Sequence, residues 1–179
     1  MNNNLNKTII LTGMMGCGKT TVGRALASKL KRKFYDSDQE FSRASGLSIY
    51  DAFTTYGEDY FRNGEHRVIE RLLEKKGLIV LGVGGGAFTN NELRSMINKR
   101  SITIWLNANN NTLYKRLKNN TKNRPLLNSL NLKKSIKKIL KDRIKYYNQA
   151  QIHIKVDKLI ISEIVDKIIK ELENQIIKI

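Results

Sequence analysis

The sequence predicts an α/β fold, a parallel sheet covered by helices on both faces, and three observations carry that prediction. Short apolar runs at residues 9–11, 34–35, 78–81, 102–106 and 152–156 have the length and composition of buried strands. Segments with apolar residues at helical spacing lie between them, and strands that alternate with helices form parallel sheets through crossover connections. The first strand runs directly into Gly13-Met14-Met15-Gly16-Cys17-Gly18-Lys19-Thr20, a complete G-x-x-x-x-G-K-[ST] phosphate loop with a helical pattern behind it.

In Lys7-Thr8-Ile9-Ile10-Leu11-Thr12 the apolar centre reads as the first strand, and beyond the loop Val22, Ala25, Leu26 and Leu30 mark a helix over 20–31. Phe34 and Tyr35 form a second short strand, followed by helical patterns at 39–45, 49–56 and 57–75. The third strand, 78–81, opens into Gly82-Val83-Gly84-Gly85-Gly86-Ala87-Phe88, and helix 91–98, strand 102–106 and helix 110–119 come next. Residues 119–131 are polar, contain the only proline, Pro125, and are expected to form a lid or a plain surface loop. Helix 132–150, strand 152–156 and helix 162–177 follow, and residues 1–179 are expected to form one domain.

The phosphate loop points to a nucleoside triphosphate. Gly13, Gly16 and Gly18 let main-chain N–H groups turn toward phosphate oxygens, and the following helix adds the positive end of its dipole. Lys19 is then placed to reach the β and γ phosphates and Thr20 to contact Mg2+, while Met14, Met15, Cys17 and Thr21 complete the nucleotide-binding loop. A glycine-rich strand-to-helix turn that binds nothing is the plain alternative.

Composition narrows the class further. The lone cysteine, Cys17, excludes an intramolecular disulfide and any cysteine-rich metal site. No apolar run approaches membrane-spanning length, and Met1-Asn2-Asn3-Asn4 does not resemble a secretory leader, so a soluble, cytoplasmic protein without a membrane partner is expected. The net charge of +17 raises the question of nucleic acid. The lysine-rich stretch from Lys115 to Lys145 lacks the interleaved aromatics of a single-strand binder, so a solvated surface is expected and no nucleic-acid partner.

Several residues then stand out for their chemistry. In Asp36-Ser37-Asp38, at the end of the second strand, one carboxylate could hold water on Mg2+ and the other could accept a proton from a hydroxyl; helix N-capping is the alternative. No acid follows the third strand, so Asp36 is the candidate for the second metal contact beside Thr20. Gly84, Gly85 and Gly86 leave main chain open to close approach by a small polyhydroxylated ring, or form a flexible turn. Arg62 and Glu65 lie one helical turn apart, so Glu65 can orient the guanidinium or form an ordinary surface ion pair. Arg124 and Arg143 complete an arginine set suited to a planar anion.

In this order the motifs resemble the shikimate kinase family: the phosphate loop, Asp36-Ser37-Asp38, Phe61-Arg62 with Glu65, Gly84-Gly85-Gly86-Ala87, Arg124-Pro125-Leu126-Leu127, and Arg143 with Tyr147. The resemblance implies a nucleoside-monophosphate-kinase-like fold with a five-stranded parallel sheet, a lid over the nucleotide, a monomer, and transfer of the ATP γ-phosphoryl to the 3-hydroxyl of shikimate. It implies Asp38 at the acceptor hydroxyl, Arg62 and Arg143 on the shikimate carboxylate, and Gly84 to Gly86 along the ring. It implies Lys19 and Arg124 over the phosphates, Thr20 and Asp36 on Mg2+, and Arg116 beside the adenine. The chain departs from the family pattern at Lys145, where many members have proline, and in Val156-Asp157-Lys158-Leu159, which lacks the usual small polar residue. Gluconate kinases share the phosphate loop and remain the neighbouring alternative, with a silent nucleotide- or RNA-binding module as one from another class.

Overall fold

A computed structural model of the chain describes residues 7–75, 77–119, 126, 127 and 129–174. Its centre is β1 (Thr8–Thr12), where Ile9, Ile10 and Leu11 are fully buried. The flanking strands are β2 (Lys33–Asp36), β3 (Ile79–Gly82), β4 (Ser101–Asn107) and β5 (Ile152–Lys155). Among the described residues these form one parallel sheet in the order β2-β3-β1-β4-β5. Burial follows that order. The strands β1, β3 and β4 are buried on both faces, as expected where helices cover a parallel sheet, whereas β5 at the edge buries Ile152 and Ile154 and exposes His153 and Lys155.

Seven helices are described: α1 (Lys19–Lys29), α2 (Ser37–Ser45), α3 (Ile49–Leu73), α4 (Asn91–Arg100), α5 (Asn110–Leu117), α6 (Leu132–Tyr147) and α7 (Ile161–Asn174). Short 3₁₀ turns at Ala87–Thr89 and Ser129–Asn131 had no signal in the sequence. The packing of α1 along β1, β2 and β3 and against α7 places its N-terminus at the carboxyl end of β1. The two helices expected at 49–56 and 57–75 are one run broken at Gly57, whose φ of 86° and ψ of 168° are accessible to glycine and strained for other residues.

Register lines up the strand ends that carry the chemistry. Asp36 pairs with Gly82, and the Val83 N–H donates to Leu11 O at 3.0 Å, so the loops leaving β1, β2 and β3 emerge side by side. This is where ligands gather in open parallel sheets. The helix expected to start at residue 39 instead begins at Ser37, because the Asp36 carboxylate accepts the Asp38 N–H at 3.1 Å and caps it two residues earlier. Asp38 therefore projects from the first turn of α2.

Close approach of α1 to β2 depends on Gly23, where a Cβ would overlap the Phe34 ring. Gly23→Ala should destabilise the chain by about 1–3 kcal/mol despite its better helix propensity, and Phe34→Leu should restore part of that loss. Urea unfolding of the two single variants and the double variant checks it; additive losses would locate the strain elsewhere.

Candidate active site

The phosphate loop is built on glycine conformations. Gly13, Gly16 and Gly18 have φ of 135°, 81° and 106°, all in the region that disfavours side chains. Gly18 caps α1 without a side-chain acceptor, so the first N–H groups of the helix face the loop's concave side. Lys19 Nζ donates to Gly13 O at 2.8 Å and Met14 O at 3.3 Å. The Met14 side chain is buried in the core, so of the expected nucleotide-loop residues it can offer a ligand only its main chain. Arg116, from α5, donates through Nη1 to Gly16 O at 3.2 Å and Cys17 O at 3.0 Å and faces the cleft with Leu159, Ile161 and Ile164.

The Thr20 hydroxyl donates to Asp36 Oδ2 at 2.7 Å, which joins the first turn of α1 to the end of β2. Asp36 is thus both the cap of α2, the alternative reading of the first aspartate, and a partner of Thr20. A hydroxyl and a carboxylate side by side are hard oxygen donors of the kind Mg2+ prefers when phosphates supply the rest of its shell. Among the described residues no cluster of three or more His, Cys, Asp or Glu side chains gathers as a metal site.

One cleft of about 560 Å3 contains both the phosphate loop and the second set of expected residues, Asp38, Arg62, Glu65, Gly84, Gly85, Gly86 and Arg143. Residues far apart in sequence meet here because the loop after β3 carries no side chains at residues 84–86. A Cβ on Gly84 would overlap Glu65 Oε1, one on Gly86 would overlap the Arg62 guanidinium, and one on Gly85 would lie 2.8 Å from the Tyr147 hydroxyl and 2.9 Å from Gly13 O. The glycine run is a packing requirement rather than a loose turn.

Arg62 is held by carboxylates on both sides: Nη1 donates to Glu65 Oε2 at 2.7 Å, and Nε and Nη2 donate to Glu58 Oε1 at 3.2 and 3.0 Å. The Phe53 and Phe61 rings lie 5.6 and 5.0 Å from its guanidinium carbon. Burial alone would lower the pKa of Arg62, yet Glu65 and Glu58 together raise it, so the guanidinium stays charged. Glu65 is 1% exposed, and burial pushes its carboxyl up to about 7 against the opposing pull of Arg62, with Asp38 adding to the rise and Arg143 reducing it. An ordinary surface ion pair is ruled out by that burial.

The sequence did not single out three neighbours. Ser37, buried between the two aspartates, accepts the Gly84 N–H at 3.0 Å and ties the glycine run to β2. Glu58 had a signal, its i,i+4 spacing to Arg62. Arg94 had none: it is 7% exposed and donates to Phe88 O, Thr89 O and Gln149 Oε1, fastening the turn after the glycines to the chain beyond α6. Arg124, Pro125 and most of the expected lid lie outside the described residues.

Comparison with known proteins agrees with this geometry. Residues 15–173 match the family described as shikimate kinase. The shikimate kinase of Zymomonas mobilis is 43% identical over 166 residues, 93% of this chain and 93% of its own. A solved shikimate kinase from Acinetobacter baumannii, in complex with shikimate, superposes with a TM-score of 0.91 at 35% identity and covers 96% of each chain. A gluconokinase from Sinorhizobium meliloti covers 98% of this chain with a TM-score of 0.63 at 16% identity, a likeness of fold alone. With the phosphate loop, the acidic turn and the glycine run in one cleft and the match extending over most of its length, the chain belongs to the shikimate kinase family.

Proposed function

We propose that the chain transfers the γ-phosphoryl group of ATP to the 3-hydroxyl of shikimate, giving shikimate 3-phosphate and ADP. The observation that carries this reading is a single cleft with the phosphate loop at one end and Asp38, Arg62 and Arg143 at the other. Arg62 and Arg143 hold the shikimate carboxylate, each through charge-assisted hydrogen bonds. Gly84 to Gly86 bring main chain against the ring. Asp38 accepts the hydroxyl proton as the new O–P bond forms and the bond between the γ-phosphorus and the bridging oxygen breaks. Lys19, and Arg124 from the proposed lid over residues 119–131, balance charge on the transferred group. Arg116 borders the adenine, and the phosphate-loop main chain from Gly13 to Thr21 binds the phosphates. Thr20 and Asp36 would hold Mg2+, which when bound neutralises charge on the β and γ oxygens. A monomer acting on these two small molecules, without a nucleic-acid partner, completes the proposal.

A coupled ADP-release assay with shikimate and then gluconate as acceptor tests the reaction; turnover with gluconate alone would overturn it. Asp38→Asn should lower turnover by a factor on the order of 10² or more while ATP still binds. Near-wild-type turnover in the folded variant would remove Asp38 from the chemistry.

The arginines should separate by kinetic signature. Arg62→Ala and Arg143→Ala should each weaken shikimate binding by roughly 2 kcal/mol or more, whereas Arg124→Ala should mainly depress turnover. One shared pattern for all three in steady-state kinetics would contradict the division between clamp and lid.

Glu65 gives a prediction in pH. Its ordinary value of 4.5 rises to about 7 on folding, so between those limits the folded chain keeps a proton that the unfolded chain has released. Wild-type stability therefore falls as pH rises from 4.5 to about 7; below that window both states are protonated, and above it both are ionised. Urea midpoints of Glu65→Gln relative to wild type should move in favour of the variant across this window and then level off. A difference independent of pH would mean that Glu65 is ionised throughout.

A further inference from the structure

Arg143 and Tyr147 lie one turn apart on α6, so their side chains share a face. Tyr147 is fully buried, with its ring against Trp105 at 5.9 Å between centroids, and its hydroxyl donates to Gly85 O at 2.9 Å. A phenol has one proton to give. With that proton on the Gly85 carbonyl, the oxygen lone pairs are left for a donor, and the guanidinium of Arg143, which can only donate, is the charged group beside them at Gly85. Burial pushes the phenol up to about 12 in spite of Arg143, so it remains neutral and keeps its proton at physiological pH. The contact point is crowded: the position of a Cβ on Gly85 lies 2.8 Å from the Tyr147 hydroxyl and 3.4 Å from Arg143 Nη1.

We infer that Tyr147 is a positioning residue for the acceptor site, its hydroxyl fixing the Arg143 guanidinium against the Gly85 main chain so that the arginine meets the acceptor carboxylate already oriented. The inference rests on the reading of Arg143 as a carboxylate ligand. It also explains why the two arginines are held differently. Arg62 is oriented by the carboxylates of Glu58 and Glu65, which offset part of its charge. A neutral phenol orients Arg143 without offsetting any, leaving its full charge for the incoming anion. Pre-ordering of this kind reduces the entropy lost when a long side chain is fixed on binding.

Tyr147→Phe keeps the ring against Trp105 and removes only the hydroxyl. The shikimate KM should rise about tenfold, while kcat at saturating shikimate and the KM for ATP stay within about twofold. A purely structural role would instead move kcat, the KM for ATP and the thermal midpoint together with the shikimate KM. In an Arg143→Ala background the same substitution should add no further rise, because the group it positions is gone. An unchanged shikimate KM in Tyr147→Phe, or a full additional rise on top of Arg143→Ala, would overturn the inference. If Arg143→Ala itself left the shikimate KM unchanged, the carboxylate assignment would fall and the inference with it. If Arg143→Ala raised it and Tyr147→Phe did not, only the inference would fall.

Discussion

The site depends on a stretch of main chain that carries no side chains. At residues 84–86 four charged or polar groups from two helices, α3 and α6, press against the loop that leaves β3: Glu65 at Gly84, Tyr147 and Arg143 at Gly85, and Arg62 at Gly86. Any of these glycines replaced by alanine would place a methyl group where a site side chain now stands. The run also receives a hydrogen bond from each side, Ser37 accepting from the Gly84 N–H and Tyr147 donating to the Gly85 carbonyl. Its main-chain groups are thus largely committed, which makes it a fixed floor rather than a hinge.

Charge in the cleft is arranged by burial rather than by number. The chain carries +17 overall, but Lys133, Lys134, Lys137, Lys138 and Lys141 are exposed on α6, whose other face buries Leu132 and Ile136. Such charges are screened over roughly 8 Å at physiological ionic strength, so they act on the approach of anionic substrates and little on the reacting groups. Inside the cleft, a few positioned groups matter far more. Glu65 is nearly without water, and its ionisation is coupled to Arg62, Arg143 and Asp38 in one small volume. Changing one of these charges therefore alters the others, and single substitutions there are not expected to add.

What was legible in the sequence was local. The phosphate loop announces itself because four positions within eight residues each have a separate physical task, and the strand and helix alternation follows from short apolar runs with helical patterns between them. The break at Gly57 was legible too, since only glycine suits the conformation found there. Less legible were the boundaries: the start of α2 at Ser37 depended on whether Asp36 would cap, and its carboxylate also answers to Thr20, sixteen residues earlier. Arg94 and the bond from Tyr147 to Gly85 were not legible from spacing at all. Their partners lie 55 and 62 residues away, and no local pattern encodes such a pairing.

The two halves of the cleft are joined at a main-chain contact. Gly13 O accepts from Lys19 Nζ on the nucleotide side, and the same oxygen lies 2.9 Å from where a Cβ on Gly85 would stand, next to Tyr147 and Arg143. To reach phosphate oxygens, as proposed, Lys19 must exchange neutral carbonyls for anionic acceptors, a gain in hydrogen-bond strength that favours the exchange. The carbonyl it leaves sits beside the floor of the acceptor site. Binding at the phosphate loop and order at Gly85 are therefore neighbours in space, separated by a single peptide group rather than by a flexible segment. The chain brings them together by hydrogen-bonding β1 directly to β3, so that Gly13 and Gly85 emerge next to one another although 72 residues apart.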